Sequence, residues 1–508
     1  MKIRLPEIFR WQINLSGYYL LLLLAVFSVE LLAEARTHQL GTGDYPEQTV
    51  MSAKLRGKES VEFLVVNIDA DNNRSLVIYT FEKQGFSSEP LADLQLDKSL
   101  VVIDKIRLGF NEYPVFLDSR SVYLWDTRQL SINKLLDTSS IYRAPQYRKL
   151  TRADLVDDVN GDELDDLVIP DFEGYNLFLQ QTGSTPEAPV FQKVHLGVSI
   201  VSEFFYDRWP WFQGRQYYKA DYNNDGRVDL IFWDGSVFLV YLQTEDKVFE
   251  EVPIINKPQI TLEFETANRI SFGSRDHQSA ARFLYNLKDM DGDGVVDLTT
   301  LIMNSKGLFE KSSTYEIFKG RRNGSIVLFD KNALSSVMSK GFQFNLAEKD
   351  IDQDGRNDLA MSTVELGLGK IIGALITGGV KLDLEFYRME EGGYPKSPSV
   401  NRQVKAEINF STGKVFYPSV FIRDMDGDGL HDLLVQHKRD QVRLYPGTGD
   451  SELFSRKFRQ FDLNMDTEPV FLEPVDVNQD NRMDIVVTFK DSDGHRGIRI
   501  VVMEDSIH

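Results

Sequence analysis

Six stretches of this chain repeat one acidic pattern at long intervals, and that repetition limits the possible folds more than any other feature. They are DVNGDELDDL from Asp158, DYNNDGRVDL from Asp221, DMDGDGVVDL from Asp289, DIDQDGRNDL from Asp350, DMDGDGLHDL from Asp424 and DVNQDNRMDI from Asp476. Each has an oxygen-bearing side chain at positions 1, 3 and 5, Asp at 9, Leu or Ile at 10, and usually Gly at 6. Successive starts lie 63, 68, 61, 74 and 52 residues apart. Such spacing suits a unit of four short strands with their turns and is too long for a single strand pair. A fixed period of this kind marks an array of repeated units.

The flanking sequence reads as strands. Short apolar runs follow the loops: LVIP after Asp166, LIFW after Asp229, LLVQ after Asp432 and IVVTF after Asp484. A second run comes soon after, as in YNLFLQQ (175–181), VFLVYLQ (237–243) and QVRLYPG (441–447). These runs are rich in β-branched, aromatic and leucine residues and are bounded by Gly, Asn and Asp, which predicts antiparallel hairpins. Helical periodicity is scarce. The acidic loop therefore sits between a first and a second strand, and the fold is all-β.

The loop chemistry points to a hard cation. Oxygens at 1, 3 and 5 fall on one side of a tight turn, Gly at 6 permits a positive φ, and a carbonyl at 7 with Asp at 9 completes a cage. Six to eight oxygens in a flexible loop suit calcium better than magnesium, which holds its waters in a rigid octahedron. The expected ligands are Asp158, Asn160, Asp162 and Asp166; Asp221, Asn223, Asp225 and Asp229; Asp289, Asp291, Asp293 and Asp297; Asp350, Asp352, Asp354 and Asp358; Asp424, Asp426, Asp428 and Asp432; and Asp476, Asn478, Asp480 and Asp484. About six Ca²⁺ would be held. An EF-hand is excluded, because its bidentate Glu at position 12 is replaced by Ile169, Phe232, Thr300, Met361, Val435 and Val487. A metal-free polar turn is the bland reading of any single copy, since Asp, Asn and Gly dominate turns. Six copies that each crowd like charges argue against it. Glu163 and Asn481 stand at position 6 in two copies; the Glu costs on the order of 1 kcal/mol in a left-handed turn.

Two further units complete the pattern. NIDADNNRSL from Asn67 is a degenerate copy with Ser75 at position 9, and VVIDKIRL (101–108), PVFLDS (114–119) and SVYLWD (121–126) supply strands without an acidic loop. The whole resembles the FG-GAP/VCBS repeats of the integrin-α β-propeller and of many secreted bacterial proteins, over about residues 60–490. The resemblance implies a β-propeller of seven or eight four-stranded blades, eight units being counted, with calcium loops between first and second strands on one face. Seven blades remain if residues 36–157 form one irregular blade. Only two runs follow Asp484, so residues around 48–56 are expected to add the missing fourth strand and close the ring. The resemblance also implies that ligands meet the face opposite the calcium loops.

The N-terminus reads as a targeting segment. Lys2, Arg4 and Arg10 precede an uncharged stretch from Trp11 to Val29, and Ala33-Glu34-Ala35 offers a small-x-small cleavage pattern. Residues 1–35 are expected to be a signal peptide, or an N-terminal anchor, and 36–508 a single propeller domain in an extracytoplasmic compartment (periplasmic, secreted or cell surface). A membrane partner is expected only through that segment if it stays uncleaved. The 77 acidic against 57 basic residues give a net charge of −20, which argues against a nucleic-acid partner. All but three of the 24 loop ligands are carboxylates, so the acidity belongs largely to the loops. With no cysteine, disulfides, thiolate metal sites and cysteine nucleophiles are excluded.

Other features bear on ligands. The segment 197–214 carries Phe204, Phe205, Tyr206, Trp209, Trp211 and Phe212. Trp209, Trp211 and Phe212 are the candidate ligand-binding residues, against the alternative that they pack on a blade. Insertions are expected at 301–324 and 366–402, between second and third strands, and LGLGKIIGALITGGV (366–380) is expected as a short packed helix. No nucleophile elbow, HExxH or phosphate loop is present. The reading that results is a non-catalytic binding or scaffold module for a protein or carbohydrate ligand. The alternatives are a lectin, or a lyase-like polysaccharide enzyme using a base such as His277.

Overall fold

The computed structural model describes residues 36–503 apart from 58–59, 84, 144–148, 205–209, 264–280, 306–310, 366–377, 410–413 and 466–467. Every regular element among the described residues is a strand. The predicted targeting segment and most of the predicted helix at 366–380 lie outside the described residues; Gly379 and Val380 open a strand. No helix of the described residues is long and apolar enough to cross a membrane.

Eight antiparallel sheets follow one another as blades of a propeller. The four main strands of each are, in chain order, Glu47–Ala53, Val61–Ile68, Arg74–Glu82 and Ala92–Leu96 in blade 1, and Val102–Leu108, Asn111–Leu117, Ser121–Asp126 and Ser131–Asp137 in blade 2. Blade 3 has Val156–Asp157, Asp166–Asp171, Gly174–Gln180 and Phe191–Leu196; blade 4 has Tyr217–Ala220, Asp229–Trp233, Phe238–Tyr241 and Ile254–Asn256. Blade 5 has Ala281–Lys288, Asp297–Ser305, Lys311–Phe318 and Ser335–Lys340; blade 6 has Phe342–Lys349, Asp358–Val364, Gly379–Tyr387 and Val400–Asn409. Blade 7 has Val420–Arg423, Asp432–Lys438, Gln441–Tyr445 and Arg459–Asp462. Blade 8 has Glu468–Val475, Asp484–Lys490 and Arg496–Val502, and takes its fourth strand, Arg36–Gly43, from the other end of the chain.

The count is therefore eight, since residues 36–157 hold two blades and the closing strand. That strand is not the predicted 48–56 segment. Arg36–Gly43 pairs antiparallel with Arg496–Val502, from Arg36↔Val502 to Gly43↔Arg496, while Glu47–Ala53 is the first strand of blade 1. The degenerate Asn67 copy is displaced as well. Its turn, 69–73, joins the second and third strands of blade 1, so it lies at the sheet end opposite to the other loops. The segment 301–324 contains paired strands, with Leu298↔Phe318 through Ser305↔Lys311. The extra piece in blade 5 is the hairpin Gly320–Asn323 with Ile326–Phe329, between third and fourth strands. Of the segment 366–402, residues 379–387 and 400–402 are strand.

Apolar packing sits between blades. Each seam has its own buried cluster: Trp125 and Phe116 with Leu64 and Ile78 between blades 1 and 2, Ile485 and Val487 with Leu434 and Leu444 between 8 and 7, and Phe63 and Val65 with Ile498 and Ile500 where blade 8 meets blade 1. A blade thus has both faces covered. This is why the second strands read as largely apolar runs: Val61–Ile68, Asp166–Asp171 and Asp229–Trp233 are buried at every residue. Polar contacts also cross a seam, as where Glu348 of blade 6 accepts hydrogen bonds from Asn286 Nδ2 (2.6 Å), Thr299 Oγ1 (2.8 Å) and Tyr315 OH (2.6 Å) of blade 5.

Candidate metal centres

All six acidic loops join first to second strands, and they share one hydrogen-bond plan. The carboxylate at position 1 folds the turn: Asp289 Oδ1 accepts Gly292 N–H at 2.8 Å and Oδ2 accepts Gly294 N–H at 2.8 Å; in the other loops Oδ2 likewise accepts the N–H of position 6, and Oδ1 that of position 4 (Asp158, Asp424) or position 5 (Asp221, Asp350, Asp476). Position 5 caps position 7, as in Asp428 Oδ1 to Leu430 N–H at 2.8 Å. Position 6 is left-handed in every copy, at φ from 67° for Glu163 to 88° for Gly429. Position 4 is left-handed too, which the sequence reading missed: Gly161, Asn224, Gly292, Gln353, Gly427 and Gln479 have φ from 59° to 79°. The signal was present as a run of Gly, Asn and Gln at that position. At Gly292 and Gly427 a Cβ would also strike a carbonyl of the next blade's loop, Gly355 O at 2.7 Å and Asn481 O at 2.6 Å.

The Asp at position 9 is the pivot. Asp166, Asp229, Asp297, Asp358, Asp432 and Asp484 have no exposed surface. Each accepts two backbone N–H groups, one from position 2 and one from the end of the third strand or just beyond it. Asp432, for example, receives Met425 N–H at 2.9 Å and Gly447 N–H at 2.7 Å. Burial pushes these carboxyls up, to about 7 for Asp166, Asp297 and Asp484 and about 6 for Asp229, Asp358 and Asp432, against the opposing pull of the two N–H donors. A cation bound beside such a group would offset the cost of burial and favour the anion.

Three loops bring carboxylates from positions 1, 3 and 9 together. In the sets Asp289/Asp291/Asp297, Asp350/Asp352/Asp358 and Asp424/Asp426/Asp432, oxygens lie within 4.8 Å of one another. Ligands at about 2.4 Å from a shared calcium lie at most about 5 Å apart, so these sets fit that ion. Asp352 Oδ1 and Asp426 Oδ1 are buried without a hydrogen-bond partner, as an oxygen kept for a cation would be. In the loops of blades 3, 4 and 8 the Asn at position 3 instead donates to the carboxylate at 5: Asn160 to Asp162 (3.3 Å), Asn223 to Asp225 (2.8 Å) and Asn478 to Asp480 (3.1 Å).

One comparison bears on these loops directly. Residues 424–487 match the family model described as FG-GAP-like repeat, a stretch that spans the last two acidic loops. The chain is an eight-bladed β-propeller that carries an FG-GAP-like repeat at residues 424–487. No curated protein matches its sequence. Among solved structures, the chain is similar to the WD40 domain of SCAP from fission yeast, at 12% identity and a TM-score of 0.37, covering 92% of this chain and 94% of that one. It is also similar to a 6-phosphogluconolactonase-like protein from Bacteroides uniformis ATCC 8492 (9% identity, TM-score 0.30, 76% and 93% coverage). Both likenesses are distant, and the blades themselves carry the fold.

On the opposite face, Trp211 and Phe212 lie on a strand, Trp211–Gln213, that pairs with Val201–Glu203 as a flap between blades 3 and 4. Phe212 packs edge-on against Phe172 at 4.9 Å and Phe204 at 6.3 Å, and Arg143 stacks on Phe172 at 4.9 Å. Phe172 lies in the turn between second and third strands of blade 3. Phe204 is 77% exposed. Trp209 and His277 lie outside the described residues. A cavity of about 780 Å³ opens beside the first strands of blades 3, 4 and 5, among Tyr142, Asp157, Arg215, Tyr217, Lys219 and Lys288.

Proposed function

We propose that this FG-GAP-repeat propeller is an extracytoplasmic binding scaffold whose blades are stabilised by calcium. The binding or scaffold role in general follows from the propeller and its repeats. The observation that carries the calcium reading is the convergence of carboxylate oxygens within 4.8 Å in three loops of one plan. Asp289, Asp291 and Asp297, their counterparts in blades 6 and 7, and the side chains of Asp293, Asp354 and Asp428 would hold the ion; the loops at Asp158, Asp221 and Asp476 are proposed as further sites. The ion would balance buried charge and add no chemistry. Extracellular modules bind calcium at roughly 0.1–1 mM, so the sites suit a calcium-rich compartment, in keeping with the targeting segment read from residues 1–35.

The test is calorimetry and thermal melting of the metal-free protein with calcium, magnesium and EDTA. Binding adds about 1.4 kcal/mol per site at tenfold excess over the dissociation constant, so calcium should raise the melting temperature by many degrees and magnesium by far less. A melt that calcium leaves unmoved overturns the reading.

The exposed aromatic flap supports a ligand on the far face. Phe204, Phe212 and Phe172 form an edge-to-face group beside Trp211, which is the kind of surface that stacks on a sugar ring or anchors a protein loop. Trp211→Ala should abolish glycan-array signal if the ligand is carbohydrate. A signal that persists unchanged removes the flap from recognition.

A further inference from the structure

In two of the six loops a cation from beyond the third strand bridges two carboxylates of the loop. The third strand of blade 5 ends at Phe318, and the next residue, Lys319, pairs with Asp291 and lies 2.9 Å from Asp293 Oδ2. In blade 6 the third strand ends at Tyr387, and the next residue, Arg388, pairs with Asp352 and reaches Asp354 Oδ2 at 2.7 Å. The two side chains occupy one place in the fold. In both blades the following N–H, that of Gly320 or Met389, is received at 2.8 Å by the buried Asp of position 9. In blades 3, 4, 7 and 8 the residue before the same donor is Leu179, Leu242, Pro446 or Val502, none of which bears a charge.

Each cation bridges positions 3 and 5, the side chains expected to ligate calcium. This differs from Arg227 and Arg356, which reach only the position-5 carboxylate of their own loops, Asp225 and Asp354, from position 7. Asp352 is 7% exposed; Arg388 takes one of its oxygens and Oδ1 stays without a hydrogen-bond partner. A tethered ammonium or guanidinium lowers the repulsion in the loop as an ion would, and its effective concentration is high because the chain holds it there. It supplies one charge where calcium supplies two.

We infer that Lys319 and Arg388 are built-in counterions that compete with calcium for the Asp289 and Asp350 loops. They keep these two loops folded when calcium is scarce and weaken calcium binding there. The inference rests on the calcium reading above and adds a control of it that belongs to two blades.

The experiment compares the metal-free wild-type protein with Lys319→Met, Arg388→Met and the control Lys331→Met, an exposed lysine of the same blade. Calcium binding is followed by calorimetry and ion count by native mass spectrometry. Each loop variant should tighten one site by roughly tenfold, the worth of a charge-assisted hydrogen bond, and should melt earlier than wild type without calcium. Lys319→Arg should behave as wild type, and Lys319→Gln and Arg388→Gln replace any Met variant that fails to fold. If wild type binds calcium and both loop variants bind it with the same affinities, the inference is overturned while the calcium reading stands. If neither wild type nor variants bind calcium at millimolar concentration, the calcium reading itself falls and takes this inference with it.

Discussion

Gln479, in the last acidic loop, donates its side-chain amide to Ser60 O at 3.0 Å and Gly57 O at 3.2 Å, across more than four hundred residues of chain. It is one link in a ring. Lys54 and Glu112 join blades 1 and 2, Arg107 and Asp165 blades 2 and 3, Gln243 and Asn160 blades 4 and 3, and Arg322 ties Asn223 to Gly294 between blades 4 and 5. Asn357 reaches Met290, Gln353 reaches Gly429, and Met483 reaches Met425. Gln479→Ala should cost about 1 kcal/mol, the net worth of a hydrogen bond. Chemical denaturation should read this as a lower midpoint with an unchanged slope.

Asp432→Ala should be far worse than Asp424→Asn in the metal-free protein. The first leaves the buried N–H groups of Met425 and Gly447 without acceptors, at about 1–3 kcal/mol each. The second keeps an oxygen at the mouth of the turn. Equal melting temperatures for the two variants would show that position 9 is dispensable to the fold.

The pH dependence follows from the same carboxyls. Burial raises Asp166, Asp297 and Asp484 to about 7 and Asp229, Asp358 and Asp432 to about 6, from an ordinary 3.8. Between these values the folded state binds more protons than the unfolded one, so metal-free stability should fall as pH rises from about 4 to about 7 and then level. Calcium requires the anion, so the calcium-induced rise in melting temperature should be larger at pH 7.5 than at pH 5.5. Melts across that range, with and without calcium, check the sign.

Gly497→Ala should open the seam that closes the propeller. A Cβ there would lie 2.6 Å from Leu40 O and 2.4 Å from the Phe489 ring. Overpacking of this kind costs about 1–3 kcal/mol. Faster proteolysis of the Arg36–Gly43 strand than in wild type would report the opening.

The repeat made much of this architecture legible, because a turn with this plan demands Asp at positions 1 and 9 whatever the blade. What failed to show was governed by weaker constraints. The closing strand, RTHQLGTG, is an outer strand with a mostly exposed pattern, so it lacks the apolar alternation that marks a strand. Asp69 accepts local N–H groups much as the loop aspartates do, from Asp71 at 2.9 Å and Asn73 at 2.8 Å. Those bonds shape a turn in any hairpin, so the degenerate Asn67 copy keeps the local pattern without lying among the other loops. Lys319 and Arg388 fall outside the acidic motif, and only their common position after the third strand connects them to it.

The pairing of Arg36 with Val502 at one end of the closing seam, and of Gly43 with Arg496 at the other, has a mechanical consequence. A pull on the chain at residues 36 and 502 loads the hydrogen bonds one after another, as a zipper opens, and not all together in shear. The propeller should therefore resist heat and denaturant through its eight apolar seams, yet give way at low force when stretched from that pair of points.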